Sequence, residues 1–278
     1  MKVHKNILSY EYYESGIYLF LGATDIGKTT LISSIASKIS GKKSIAIVDA
    51  DTGQSHIGPP TTVGWAIARQ GENDLSKLPV EGIAFTGYLN PIGHMLQLAR
   101  AIIKCVENAS KKAETVLIDT PGFVTGPAAC VFWWEIVTIL KPKAIIVINR
   151  ENELFEIIKG LKNPGCYIEM IRSASKVKQK SAEQRTAYRQ KRFEEYFARS
   201  KVYKINLKNI AIQTTKILNM DKANGLLLGL RNFEGDDISI GALIEWRQDD
   251  KIILKSPVIN PKDVCCIIVG DTAIDLPV

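Results

Sequence analysis

The sequence predicts an α/β protein: a doubly wound, mainly parallel sheet with an Arg-rich helical lid and a small β-rich C-terminal module. Three observations carry this. Up to about residue 200, short apolar runs alternate with longer helical segments, the pattern of a sheet wound on both faces. One of these strand-to-helix junctions is glycine-rich. Beyond Lys201 the helical segments give way to short strand-like runs broken by Asn232, Gly235, Gly241 and Pro257. The expected strands of the first part are residues 17–21, 44–49, 82–86, 115–119, 144–149 and 167–171, several apolar throughout, as strands covered on both faces should be. Helices are expected at residues 93–109 and 127–140. The second part is expected to place strands at residues 225–230, 238–246, 252–255 and 265–269. Residues 171–200 are polar, basic and helix-favouring. The expected division is therefore residues 1–200, including a lid at about 172–197, and residues 201–278.

Composition bounds the function. The 278 residues are 46% hydrophobic, enough for a sizeable core. Lys and Arg number 36 against 29 Asp and Glu, a net charge of +7 that suits a polyanionic partner without requiring one. Five cysteines, an odd number with no C-x-x-C pair, imply neither a disulfide framework nor a zinc site. The first residues carry no apolar signal core, and no apolar run reaches membrane-spanning length. The expected compartment is the reducing cytosol, with no membrane partner.

The glycine-rich junction is Gly22-Ala23-Thr24-Asp25-Ile26-Gly27-Lys28-Thr29, a complete match to G-x-x-x-x-G-K-[ST]. It follows an apolar strand and opens a helix at Thr30, the context the motif needs. Glycines let backbone N–H groups and the helix N-terminus face phosphate oxygens. Lys28 is placed to reach the β- and γ-phosphates, and the Thr29 hydroxyl to ligate Mg²⁺. The fold expectation is therefore of the P-loop NTPase type, with a nucleoside triphosphate as ligand.

Two strand ends carry carboxylates toward the same crevice. Asp49 and Asp51 are two apart, so an extended backbone points both to one side. One is expected to serve the metal through water, the other a substrate hydroxyl. The fourth expected strand ends in Asp119-Thr120-Pro121-Gly122, which resembles the generic Asp-x-x-Gly of P-loop enzymes, where the Asp sees Mg²⁺. A GTPase would add N-K-x-D after a later strand. Asn149-Arg150-Glu151-Asn152 lacks the Lys and the Asp. Arg185, Arg189 and Arg192 share one helical face. A guanidinium suits a phosphoryl group because its planar fork pairs with two oxygens. Taken alone, the cluster reads better as a solvated face balanced by Glu183, Glu194 and Glu195, and Lys176, Lys178 and Lys180 read equally well as solubilising surface. His4, His56 and His94 lack metal spacing. Trp65, Trp133 and Trp134 fit core packing better than base stacking.

In order along the chain, these motifs resemble the polynucleotide 5′-hydroxyl kinase family that includes the RNA kinases of pre-mRNA cleavage, tRNA splicing and pre-rRNA processing. The resemblance rests on Thr24-Asp25-Ile26-Gly27-Lys28-Thr29, on Asp49-Ala50-Asp51-Thr52-Gly53-Gln54 with Pro59-Pro60, and on Phe85-Thr86-Gly87-Tyr88-Leu89-Asn90-Pro91-Ile92-Gly93. Thr120-Pro121-Gly122-Phe123 is similar to its T-x-G-W clasp, and residues 185–197 to its Arg-rich lid. The resemblance implies transfer of the γ-phosphate of ATP, with Mg²⁺, to the 5′-hydroxyl of RNA, with DNA as a further acceptor. It implies Gly22 to Thr30 as the triphosphate site, Asp51 as the base, and Thr29 and Asp49 in the metal shell. Gln54 orients the site, and Thr120, Gly122 and Phe123 clasp the terminal nucleotide. Lys28, Arg185, Arg189 and Arg192 stabilise the transferring group. The clasp aromatic is Phe123 rather than Trp, and Pro121 replaces the usual residue before Gly122. The first strand begins near Ile17, so the chain looks like a short, prokaryote-like form. Some family members are ATP-bound scaffolds without catalysis. That reading and a nucleotide-switch ATPase or GTPase are the alternatives.

Overall fold

The computed structural model describes residues 13–161, 166–173, 180–214, 224–247, 250–257 and 259–275. His4, Lys176 and Lys178 lie outside them. Strand β1 (Gly16–Leu21) pairs in parallel with β5 (Thr115–Asp119) on one side and β6 (Ala144–Asn149) on the other. Parallel pairing continues to β2 (Ile45–Asp49) beyond β5 and to β7 (Tyr167–Arg172) beyond β6. Helix α1 (Lys28–Ile39) covers one face; α2 (Met95–Ser110), α3 (Pro127–Leu140) and α4 (Phe155–Gly160) cover the other. Leu19 and Leu21 of β1 pack into the core under α2 and α3, while Tyr18 and Phe20 pack against Ile32, Ile35 and Ile39 of α1. The period-2 alternation of a strand thus feeds two apolar cores, which is why these runs contain no polar face.

The sheet departs from a simple parallel pattern at one side. β3 (Thr62–Ile67), absent from the expected strands, runs antiparallel to β2, and β4 (Val80–Phe85) antiparallel to β3. Thr62-Val63-Gly64-Trp65-Ala66-Ile67 is an apolar, β-rich run, but it follows Pro59-Pro60, which reads as a turn. Antiparallel neighbours need no crossover helix. Only a single 3-10 turn, Leu75–Lys77, lies between β3 and β4.

The C-terminal strands are β8 (Lys201–Asn206), β9 (Ala211–Gln213), β10 (Leu226–Arg231), β11 (Asp237–Arg247), β12 (Lys251–Ser256) and β13 (Cys266–Ala273). β10 lies between β11 and β13, and β12 between β11 and β8, all antiparallel. Their inner side forms its own apolar cluster around Leu228, Leu230, Leu243, Leu254 and Ile267. They extend the main sheet, because β11 meets β4 at Asp237 opposite Ile83.

Helix α5 (Ala182–Phe197) is the Arg-rich segment. Ser181 and Gln184 close a reciprocal capping box at its start. Its sequence is largely polar, yet Phe193 and Phe197 are buried against Phe85, Leu227, Ile240 and Ala242. Burying each ring contributes about 1.5–3 kcal/mol, which fixes the C-terminal end of α5 to the C-terminal strands.

Candidate active site

The ends of β1, β2 and β5 open at one edge of the sheet, where a doubly wound fold places its ligand. The loop after β1 leads into α1, whose N-cap Gly27 has φ 98° and no side-chain cap. This left-handed conformation favours glycine. Thr24 to Thr30 line a cavity of about 220 Å³ together with Asp51, Gln54, His56, Asp119 and Lys180. Lys28 is buried, its Nζ donating to the carbonyls of Gly22 and Ala23 at 2.8 Å each. Burial pulls its ammonium below the usual lysine range, while Asp119, Asp51 and Asp25 draw it back toward charge.

The three carboxylates at the ends of β2 and β5 do different things. Asp119 lies opposite Asp49 in the β2–β5 register. Its Oδ2 accepts from the Thr29 hydroxyl at 2.5 Å. Its Oδ1 is buried and has no hydrogen-bond partner among the described residues. A hydroxyl and an unsatisfied carboxylate oxygen on a triphosphate-sized cavity form a hard-oxygen donor set that fits Mg²⁺. Asp49 is directed elsewhere. Its Oδ2 accepts from the backbone N–H of His56 at 2.6 Å and Ile57 at 3.1 Å, and its Oδ1 from that of Asp51 at 3.1 Å. Asp49, expected in the metal shell, has its oxygens on the backbone of the loop after β2, and Asp119 is the carboxylate beside Thr29. Burial pushes both carboxyls up, and like charge adds to it, from Asp51 on Asp49 and from Asp49 on Asp119. Sequence reasoning noted Asp119 through its generic Asp-x-x-Gly spacing but ranked the β2 pair above it.

Asp51 holds its own turn, its Oδ1 accepting from the N–H of Gly53 and Gln54 at 3.1 and 3.0 Å. It also faces a second cavity of about 490 Å³. Leu89, Asn90, Pro91 and Ile92 form one wall of that cavity, Pro121, Gly122, Phe123 and Thr125 another, and Arg185 and Arg189 a third. Thr24, Asp51 and Gln54 line both cavities. Gly122 is required by close approach, since a Cβ there would overlap the Thr24 hydroxyl. The backbone carbonyl of Phe123 accepts from Trp133 Nε1 at 2.6 Å, and its ring packs edge-on against Phe132. Thr120 is placed differently from expectation. It is fully buried, its hydroxyl donating to the Phe20 carbonyl at 2.6 Å, so it ties β5 to β1 and lines neither cavity.

The arginines of α5 do not act as one cluster. Arg185 pairs with Asp25 of the phosphate loop at 2.7 Å. Arg189 lines the second cavity, its guanidinium donating to Thr186 at 2.8 Å. Arg192 donates to the carbonyls of His56 and Gly58 at 2.8 and 2.9 Å and pairs with Glu195. Tyr188, unremarked in the sequence, donates to the Ser55 carbonyl at 3.0 Å. Lys180, read there as surface, donates from Nζ to Gln54 Oε1 at 3.0 Å, and its N–H reaches Asp25 Oδ2 at 3.1 Å. The ring of His56 faces the smaller cavity, and burial holds its imidazole below the usual range, toward the neutral form. His94 stacks on Tyr88. Trp65 and Trp133 are core residues, and Trp134 packs against that core.

A family model described as "mRNA cleavage and polyadenylation factor CLP1 P-loop" matches residues 22–199, which contain both cavities. A protein named polyribonucleotide 5′-hydroxyl-kinase in Methanocaldococcus jannaschii is 30% identical over 82% of this chain and 61% of its own length. One of the same name in Pyrococcus horikoshii is 32% identical over 72% of this chain and 54% of its own. The chain thus spans little more than half the length of these curated relatives. The solved structure of a wild-type Clp1p–Pcf11p complex superposes with a TM-score of 0.72 over 97% of this chain and 76% of that one, at 12% identity, a likeness of fold. With its phosphate loop, its two adjoining cavities and this match over most of its length, the chain belongs to the CLP1 P-loop family.

Proposed function

We propose that this protein is an ATP-dependent polynucleotide 5′-hydroxyl kinase. The observation that carries the reading is the shared wall: Asp51, Thr24 and Gln54 stand between a phosphate-loop cavity and a second cavity lined by an aromatic ring and two arginines. Phosphoryl transfer needs the attacking and leaving oxygens roughly in line across the phosphorus, with a proton-accepting group beside the attacking hydroxyl. In this reading the triphosphate of ATP lies along Gly22 to Thr30, with Lys28 turning to its β- and γ-phosphates. Thr29 and Asp119 would hold Mg²⁺, whose chemistry is to neutralise charge on the phosphate oxygens. The terminal nucleotide enters the second cavity, its base against Phe123 and Pro91. Asp51 takes the proton of the 5′-hydroxyl as that oxygen bonds to the γ-phosphorus and ADP leaves. Arg189 meets the charge of the transferring group, and Gln54, held by Lys180, orients it. The names of the archaeal relatives support RNA as acceptor, and the free thiols of all five cysteines support a cytosolic setting.

The test is direct. The protein is incubated with γ-labelled ATP, Mg²⁺ and matched 5′-hydroxyl RNA and DNA oligonucleotides, and label is sought at the 5′ end. Label on RNA is the expected result. ATP binding with no label on either oligonucleotide would overturn the reading in favour of a non-catalytic ATP-binding subunit.

A further inference from the structure

Two walls of the acceptor cavity, the loop after β4 and helix α5, are tied to the same C-terminal strands. The loop leaves β4 at Phe85. Asp237, the first residue of β11, is fully buried at its side chain. It accepts from the Phe85 N–H at 2.7 Å and from Arg100 at 2.8 Å, and pairs with Arg231 at 2.7 Å. Arg100 in turn donates to the Phe85 carbonyl at 2.8 Å. Two residues further on, the Gly87 carbonyl accepts from the Asp271 N–H of β13 at 3.0 Å. Four residues beyond Phe85 the chain becomes the cavity wall at Leu89 to Ile92.

Helix α5 is tied in the same place. The Tyr196 hydroxyl accepts from the Ile240 N–H of β11 at 3.0 Å and lies 3.0 Å from Ser239 Oγ, which meets Ser256 Oγ at 2.9 Å. Tyr196 is two turns along α5 from Arg189, on the same side of the helix. The Phe85 ring sits in one cluster with Phe193 and Phe197 of α5 and with Leu227, Ile240 and Ala242 of the C-terminal strands. The two cavity walls are therefore referenced to one rigid block.

We infer that Asp237 and Tyr196 are positioning residues: through them the C-terminal strands set the spacing between the acceptor loop and Arg189. This rests on the kinase reading for its catalytic consequence, but not for its structural one. Neither residue lines the phosphate-loop cavity, so nucleotide binding is independent of them. A mis-set gap affects the acceptor instead, since small misplacements of a reacting pair cost large factors in rate.

The experiment uses the full chain with Asp237→Asn and, separately, Tyr196→Phe, the second being near-isosteric and keeping the ring cluster. Amide hydrogen exchange at residues 86–93, ATP affinity, melting temperature and KM and kcat for a 5′-hydroxyl oligonucleotide are measured. The expected result is faster exchange at residues 86–93 in Asp237→Asn, with kcat/KM for the oligonucleotide lowered about tenfold in both variants and ATP affinity within about twofold of wild type. Unchanged exchange in that loop, or unchanged KM with kcat falling only in step with melting temperature, would overturn the inference. Wild-type protein that labels no oligonucleotide would remove the kinase reading, and the exchange result would still decide whether Asp237 sets the loop.

Discussion

Asp49 and Asp51 leave one strand end two residues apart, yet their oxygens meet different partners, and this separates their expected variants. Asp51→Asn keeps an Oδ1 that can still accept from Gly53 and Gln54, so the turn survives. An amide cannot take the proton of the acceptor hydroxyl. Transfer is expected to fall by about 10²–10⁴-fold with ATP binding retained, as single-turnover labelling and nucleotide titration would read. Equal losses of binding and rate would instead make Asp51 a ligand-holding group. Asp49→Ala takes the acceptor from three backbone N–H groups, that of Ile57 buried and those of Asp51 and His56 partly so, a loss of about 1–3 kcal/mol for each left unpaired. Part of this is offset, because burial already disfavours the Asp49 charge. A net loss of about 3 kcal/mol in denaturant unfolding is expected. Unchanged stability would mean that the loop after β2 does not depend on the carboxylate. Lys28→Ala removes the fixed cation of the phosphate loop, and transfer is expected to fall by at least about 10²-fold. Near-normal labelling would rule that role out.

At the scale of the element, α5 is the instructive case. Its three arginines sit at i, i+4 and i+7, and on sequence alone they share a face and a task. Packing divides them: Arg185 meets Asp25, Arg189 lines the acceptor cavity, and Arg192 caps the carbonyls of His56 and Gly58. Arg189→Ala is expected to slow transfer far more than it weakens ATP binding, because its strongest contact forms in the transition state. Arg189→Lys should restore only part, lacking the paired geometry of the guanidinium. Arg192→Ala should chiefly lower stability by leaving buried carbonyls without a donor. Lys191, largely exposed, should tolerate Ala. The assignment fails if Arg189→Ala turns over like wild type, or if Arg192→Ala melts like wild type and loses only rate. The helix was expected to form part of a lid at about 172–197; Phe193 and Phe197 pack its last turn against the C-terminal strands, while Arg185 in its first turn and Lys180 just ahead of it touch the phosphate loop.

At the scale of the molecule, the question is whether residues 201–278 are an independent unit. They hold their own apolar cluster, but β11 joins β4, and Asp237 and the Phe85 cluster are shared with the nucleotide-binding part. Truncation after Ser200 would uncover Phe85, Phe193 and Phe197 and leave Arg100 without its buried partner. The full chain is expected to unfold in one calorimetric transition, and residues 1–200 alone to lose cooperative melting. Cooperative melting of the truncated chain with unaltered ATP affinity would show the C-terminal strands to be a separable unit.

What the sequence by itself determined is what short-range chemistry dictates. Gly22 to Thr29 demanded a phosphate loop because that glycine and Lys-Thr spacing lets the backbone wrap a phosphate and sets a lysine and a hydroxyl beside it. The apolar runs at β1, β5 and β6 demanded strands covered on both faces. The order of motifs also marked out Asp51, Phe123 and the Arg-rich helix. β3 was lost because Pro59-Pro60 reads as a turn and its antiparallel partners announce no helix. Only the tertiary structure could assign the oxygens. Asp119 stands beside Thr29 because β1 and β5 are neighbours in the sheet, across 90 residues of chain. Thr120 is spent on Phe20, Arg192 on the loop after β2, and Asp237 on Phe85, each through a contact remote in sequence. A residue's type and spacing state which bonds it can make; the packing of the sheet decides which one it does make.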